Sequence, residues 1–219
     1  MDFLKDVLGT TSERAIYREE KDSLWRAQIG YDWAEVKADE HLYECRVPLE
    51  NGRMKPRTSG AREGRVNAKG IPVLYCATQS DTALSEVRPW IGAYISMAKM
   101  ILRRRVKLVD CTVNRLLPIP AECDAFSNVW LDINGAFAEP VTPDDESAHY
   151  APTQVLAEHF RHEGFDGIMY DSRLGSGKSI ALFHIDDAEV ESTTLHLVTK
   201  LKFDFEDQPV EGTIVSRWG

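Results

Sequence analysis

Two arginines, a glutamate, a tyrosine, an asparagine and a serine are the side chains of this 219-residue sequence whose types could act together on an anionic, sugar-containing molecule. Arg26 and Arg65 carry planar guanidinium groups that grip phosphate oxygens in pairs, and a diphosphate rewards two such donors. As an isolated strand residue, Arg26 would more commonly be a surface cation or an ion-pair partner. Glu86 offers a carboxylate that, beside a ribose, orients hydroxyls and stabilises positive charge as a glycosidic bond loosens. It could equally pair with Arg88 or Lys69 on a helix surface, and the sequence leaves both readings open. Tyr75 has the shape to stack on a flat base and a hydroxyl for sugar or phosphate, although a tyrosine within a strand is more often core. Asn67 either fixes its own loop, the usual work of a turn asparagine, or touches a ribose hydroxyl. Ser172 follows an apolar segment, where a plain turn serine is at least as common; it lacks the GxSxG setting and a histidine–acid partner, so a chemical role would be donor or positioning group, not nucleophile.

Other chemistries find less support. The cysteines Cys45, Cys76, Cys111 and Cys123 are dispersed without CxxC spacing, which argues against structural zinc and suits a reducing compartment. His159 and His162 lack HExxH and a third ligand, so no metal is expected. A net charge of -9 speaks against nonspecific nucleic-acid binding. Arg103–Arg105 with Lys107 is the richest basic patch and reads as a solvent-facing turn. The Asp144–Glu146 run reads as a solvated loop, and Asp186–Asp187 as a strand-end turn. No apolar run reaches the roughly 20 residues a membrane helix needs, and the start MDFLKDVLGT resembles no leader, so a cytoplasmic location is expected.

The elements that must position these residues follow from periodicity. Leu24, Arg26 and Gln28 alternate with Trp25, Ala27 and Ile29, the period of a half-buried strand. A further strand is expected over His41–Val47. Gly60–Gly70 is a basic loop punctuated by glycine, without the GxxxxGK[ST] pattern of nucleotide triphosphatases. Ile71–Ala77 reads as a strand, with Pro72 at its start. Ser80 or Asp81 can cap the next helix, in which Ala83, Leu84 and Val87 face inward, Glu86 lies one turn beyond Thr82, and Pro89 marks the end. Strands are expected at Tyr94–Ile101 and Val106–Cys111, partial helix at Phe126–Phe137, and a strong helix carrying Pro152, Val155, Leu156, His159 and Phe160 before Gly164. A short buried strand, Phe165–Tyr170, leads through Ser172 and a loop with Gly175 and Gly177 to Ile180–Ile185. The N-terminus suggests a turn over Phe3–Leu8 and a capping box at Thr10 and Glu13. Strand-like tail segments fall at Thr194–Val198, Leu201–Phe205 and Thr213–Val215. The mixed order favours one α+β domain, a mixed central sheet with flanking helices.

Three blocks in order, LWRAQIG, AREGRVNAKGIPVLYCATQSDTALSEVRP and GFDGIMYDSRLGSGKSIALF, resemble the RES-domain toxins of toxin–antitoxin systems, named for an arginine, a glutamate and a serine. The likeness runs from about residue 24 to 186 of a chain read as a single domain, 1–219, with extensions at both ends. It implies a fold related to ADP-ribosyltransferases and NAD as a substrate, with no resident cofactor and no metal. Family arginines match Arg26 and Arg65, the pocket tyrosine Tyr75, the glutamate Glu86 and the serine Ser172. By this resemblance Arg26 and Arg65 hold the pyrophosphate, Tyr75 packs near the nicotinamide or its ribose, Ser172 fixes the nicotinamide side, and Glu86 stabilises the cation formed as nicotinamide leaves. The family's usual opening tyrosine is Trp25 here, Arg173 stands where a second serine is common, and Ser179 where asparagine is often seen.

The resemblance implies transfer of ADP-ribose from NAD to inorganic phosphate, with water or a protein as alternative acceptors. A noncatalytic NAD-binding regulatory domain is the competing class. Implied partners are a helix-turn-helix antitoxin and a second copy of the chain, with neither nucleic acid nor membrane bound directly.

Overall fold

The computed structural model describes residues 9–113, 125–139 and 150–207. The turn expected at Phe3–Leu8, the connector Pro118–Asp124, the loop Pro140–Ser147 and the strand at Thr213–Val215 lie outside these residues. Among the described residues, ten strands and three α-helices follow in the order β1 Ala15–Arg18, β2 Ser23–Ile29, β3 Asp32–Ala38, β4 His41–Val47, β5 Leu74–Ala77, α1 Ser80–Glu86, β6 Tyr94–Leu102, β7 Val106–Asp110, α2 Ala125–Ala138, α3 Ala151–His162, β8 Gly167–Asp171, β9 Lys178–Leu182 and β10 Ala188–Leu197.

Eight of the strands form one mixed sheet in the order β1-β7-β8-β9-β5-β2-β6-β10. Among the described residues only β7 and β8 pair in parallel. A parallel pair needs a long crossover, and this one carries α2 and α3, which cover one face of the sheet. Their side chains Trp130, Ile133, Phe137, Leu156 and Phe160 pack with Val109, Ile168 and Ala181. The opposite face buries Leu24, Leu74, Met100, Ile180 and Leu182 beneath Leu49 and Met54 of the β4–β5 connection. A smaller third cluster seats α1 on Ala27, Ala77 and Ile95.

The sequence accounts for much of this locally. In α3, Thr153, Leu156, Ala157 and Phe160 are buried, the spacing of one helical face. Pro152 occupies the first turn, and Gly164, with φ of 77°, follows the end, where a left-handed residue costs glycine little. Phe160 is wholly buried, so truncating it to alanine should cost about 3–5 kcal/mol.

Four expectations are corrected. β3 was not foreseen: it pairs with β4 through a two-residue turn in which Asp39 and Glu40 both have positive φ, without the Asn-Gly signature of such turns. Leu201–Phe205 is not a strand, and Phe203 and Phe205 are exposed with their rings 6.3 Å apart. The cap position of α1 is Gln79, not Ser80 or Asp81, and makes no side-chain cap. Thr10 precedes a 3-10 turn, Thr11–Arg14, without capping it; its hydroxyl accepts from Trp130 Nε1 at 3.3 Å.

The basic turn between β6 and β7 is divided in role. Arg103 and Arg105 are exposed, as expected, whereas Arg104 binds Asp187 through Nε and Nη2 at 2.7 and 2.8 Å and Asp166 at 2.8 Å. Asp187 is 6% exposed, so the strand-end turn it sits in is a structural clamp.

Candidate active site

β2 and β5 are neighbours that share a single residue pair, Trp25 with Ala77. On their other sides the same strands are fully laced, β2 to β6 over Ser23–Ile29 and β5 to β9 over Leu74–Ala77. A cavity of about 340 Å³ opens where the β2–β5 ladder stops. Its walls are Trp25, Arg26 and Ala27 of β2, Tyr75, Cys76 and Ala77 of β5, Ala83, Glu86 and Val87 at α1, Tyr170 of β8 and Ser179 of β9.

Arg26 is the innermost charge. One Nη donates to the Tyr75 carbonyl at 2.8 Å, in the gap between the strands. Its Nε is shut off from solvent and has no hydrogen-bond partner. Among the described residues no carboxylate forms an ion pair with it. Burial lowers its pKa from the ordinary arginine value, with Cys76 and Tyr75 opposing. An arginine nonetheless stays charged in proteins. Burial likewise pushes the Cys76 thiol up to about 12, so it is a neutral wall residue.

Glu86 is the last residue of α1 and is exposed at the cavity rim. Its Oε1 accepts from the Ser172 hydroxyl at 2.6 Å and from the Ser179 hydroxyl at 3.3 Å. The Ser172 oxygen in turn accepts from the backbone N–H groups of Leu174 and Gly175, both at 3.1 Å, so its proton is committed to Glu86. The carboxylate is thereby oriented by two hydroxyls, while its second oxygen makes no hydrogen bond among the described residues.

Tyr75 presents its ring to the cavity but not its hydroxyl, which donates to Asn67 Oδ1 at 2.7 Å and accepts from Val66 N–H at 3.2 Å. Asn67 is 2% exposed, and its Nδ2 donates to the carbonyls of Arg62, Ala68 and Ile71. These contacts fix the loop from Arg62 to Ile71 and engage both polar atoms of the Asn67 side chain. Gly64 is needed beside it, because a Cβ there would lie 2.7 Å from the Tyr75 hydroxyl.

Arg65 is not in the cavity wall. It donates to the Ala136 carbonyl near the end of α2 at 3.1 Å and lies 5.4 Å from the Tyr150 ring centroid, with its Nε buried and unpaired. The fold thus brings together Arg26, Tyr75, Glu86 and Ser172, and turns Arg65 toward Ala136 and Tyr150.

Sequence reasoning missed Trp25, Tyr170 and Ser179 as site residues. Register explains them: Trp25 pairs with Ala77, Ala77 with Ser179, and Ser179 with Tyr170, a row across four adjacent strands. Burial drives the Tyr170 phenol well above the ordinary tyrosine value, with Tyr75 and Glu86 acting in the same sense, so it stays neutral. The available signals were Trp25 and Ser179, both departures from the family's usual pattern.

No curated protein matches the chain. A solved structure, the crystal structure of the M. tuberculosis MbcT–MbcA toxin–antitoxin complex, contains a similar chain at 14% identity and a TM-score of 0.44, over 88% of this chain and 93% of that one. The family model of the RES domain matches residues 24–206, most of the sequence and the whole of the cavity just described. The chain belongs to the RES domain family.

Proposed function

We propose that the protein cleaves NAD at the bond between nicotinamide and ribose and passes ADP-ribose to inorganic phosphate. The observation that carries this reading is a buried, unpaired Arg26 facing a hydroxyl-oriented Glu86 across one cavity. The cationic interior suits a phosphate oxygen, and the carboxylate at the rim suits developing positive charge on a ribose. Pockets that enclose a small ligand run from roughly 300 to 1,000 Å³. At about 340 Å³ this one has room for part of a dinucleotide, with the remainder along the surface.

In the step itself the bond from the pyridinium nitrogen to ribose C1′ breaks, and nicotinamide leaves neutral with the bonding pair. A phosphate oxygen forms the new bond to C1′, and the product keeps the phosphate proton. Because the leaving group begins with a positive charge, it needs no protonation to depart. Glu86 stabilises the cationic sugar, Ser172 and Ser179 hold Glu86, Arg26 anchors the phosphate end, and the rings of Tyr75 and Trp25 flank the flat base. Arg65 has to leave the Ala136 carbonyl to reach the substrate directly; otherwise it acts by supporting Tyr75. A toxin role and an antitoxin partner belong to the same proposal, on the strength of family membership.

The test is incubation of purified protein with NAD in phosphate and in phosphate-free buffer, with products followed by phosphorus-31 NMR and mass spectrometry. Nicotinamide plus a phosphate-dependent ADP-ribose phosphate is the expected result. Free ADP-ribose in both buffers would make water the acceptor, and absence of nicotinamide release would refute the reading.

A further inference from the structure

Ser172 lies on the loop between β8 and β9, yet its hydroxyl meets a carboxylate 86 residues earlier in the chain. What joins the two is Thr82, one helical turn before Glu86 and wholly buried. Its hydroxyl oxygen accepts from the Gly177 N–H at 2.9 Å. A Cβ at Gly175 would lie 2.5 Å from that oxygen and 2.8 Å from the Thr82 Cα, and one at Gly177 would lie 2.7 Å from the oxygen. Both glycines are therefore fixed by close approach to this one side chain. Lys178 N–H donating to the Thr78 hydroxyl and the Ser176 hydroxyl donating to Gln79 extend the seam, but only Thr82 shares a helix face with Glu86.

We infer that Thr82 is a positioning residue, which sets the loop from Ser172 to Gly177 against α1 and so places the Ser172 hydroxyl on Glu86, beside a Ser179 already held by strand pairing. This rests on the assignment of Glu86 to NAD cleavage. Thr82 is not among the residues lining the cavity and needs no contact with substrate; its effect passes through the loop. Displacing an oriented group by about 1 Å costs on the order of a hundredfold in rate, so the effect should appear in turnover and not in substrate affinity.

Thr82→Val keeps the shape and removes the acceptor, whereas Thr82→Ser keeps the acceptor. Per folded molecule, Thr82→Val should lower kcat for nicotinamide release by roughly tenfold to a hundredfold with KM nearly unchanged, and Thr82→Ser should restore most of it. Gly175→Ala, which forces the seam apart from the loop side, should reproduce the loss if the valine variant folds poorly. Amide hydrogen exchange of the substrate-free protein supplies an arm that needs no activity: Gly175 and Gly177 should exchange faster in the valine variant and at the wild-type rate in the serine variant. An inactive wild type would end the NAD assignment and leave the exchange arm to decide the positioning role. Equal exchange in the two variants, or equal kcat in an active enzyme, would overturn the role of Thr82.

Discussion

Arg26 and Arg104 face each other as opposite solutions to placing a guanidinium in a fold. Arg104, at the β6–β7 turn, spends every nitrogen: two on Asp187, one of these shared with Asp166, and the third on the Arg105 carbonyl. Its pKa is raised, first by the hydrogen bond to Asp166. Arg26 lies in the gap between two strands with one carbonyl and an unpaired Nε. A buried charge without a partner is a cost to folding; Arg104 is saturated by two carboxylates and a carbonyl, whereas Arg26 meets no carboxylate among the described residues. The contrast teaches that lack of a carboxylate partner together with a place in the cavity wall sets Arg26 apart from Arg104, whereas an unpaired Nε alone does not, since Arg65 and Arg161 share it.

The sharpest way to test that contrast begins beside Arg26. Glu86→Gln keeps size and hydrogen-bonding shape but loses the charge, so NAD turnover should fall by roughly 10²–10³-fold, on the scale of removing one transition-state contact. The melting temperature should move by no more than about 2 °C, because Glu86 is exposed and buries little. Unaltered turnover in the folded variant would remove Glu86 from the chemistry.

The two arginines should then respond oppositely to the same change. Arg26→Met should weaken NAD binding by roughly tenfold to a hundredfold, the worth of one or two hydrogen bonds to a charged group, and leave stability equal or higher, since a buried cation has gone. Arg104→Met should leave affinity per folded molecule intact and lower stability by about 2–3 kcal/mol. That is less than the 3–5 kcal/mol of a fully enclosed pair, because the Arg104 side chain is 45% exposed. Titration calorimetry and urea unfolding of both variants would separate the cases; a comparable loss of stability in both would erase the distinction.

The smallest effect concerns pH. Burial acts against ionisation of Asp166, but the Arg104 hydrogen bond and the Lys107 N–H outweigh it and hold the carboxyl below the usual range. A lowered folded pKa means the stabilisation is complete above the unfolded value of about 3.9 and is lost as pH falls through the folded one. Asp166→Asn should therefore flatten the fall of melting temperature below about pH 4. Parallel acid profiles for wild type and variant would detach Asp166 from the clamp.

How much of this was readable in advance depended on distance along the chain. Alternation around Arg26 placed it on a strand, and helical spacing after Ser80 put Glu86 one turn beyond Thr82; both are local patterns. The His41–Val47 strand was readable for the same reason, whereas β3 was not, because Asp39-Glu40 is an unusual pair for a turn with two positive φ values. Ser179 and Tyr170 escaped notice because their place in the site comes from register across strands, and Ser179 meets a carboxylate 93 residues away. Composition of the Gly60–Gly70 loop suggested cations facing a ligand. It carried no information on side-chain direction, and Arg65 turns instead to the end of α2.

The lone Trp25–Ala77 pair has a meaning for the sheet as a whole. β10, β6 and β2 form one woven panel, and β5, β9, β8, β7 and β1 form another, with a single rung between them. Beyond that rung the seam is carried by side chains: the guanidinium of Arg26 reaching the Tyr75 carbonyl, and α1 resting on Ala27 and Ala77. The cavity lies along this seam, lined from both panels by Arg26 and Ala27 on one side and Tyr75 and Cys76 on the other.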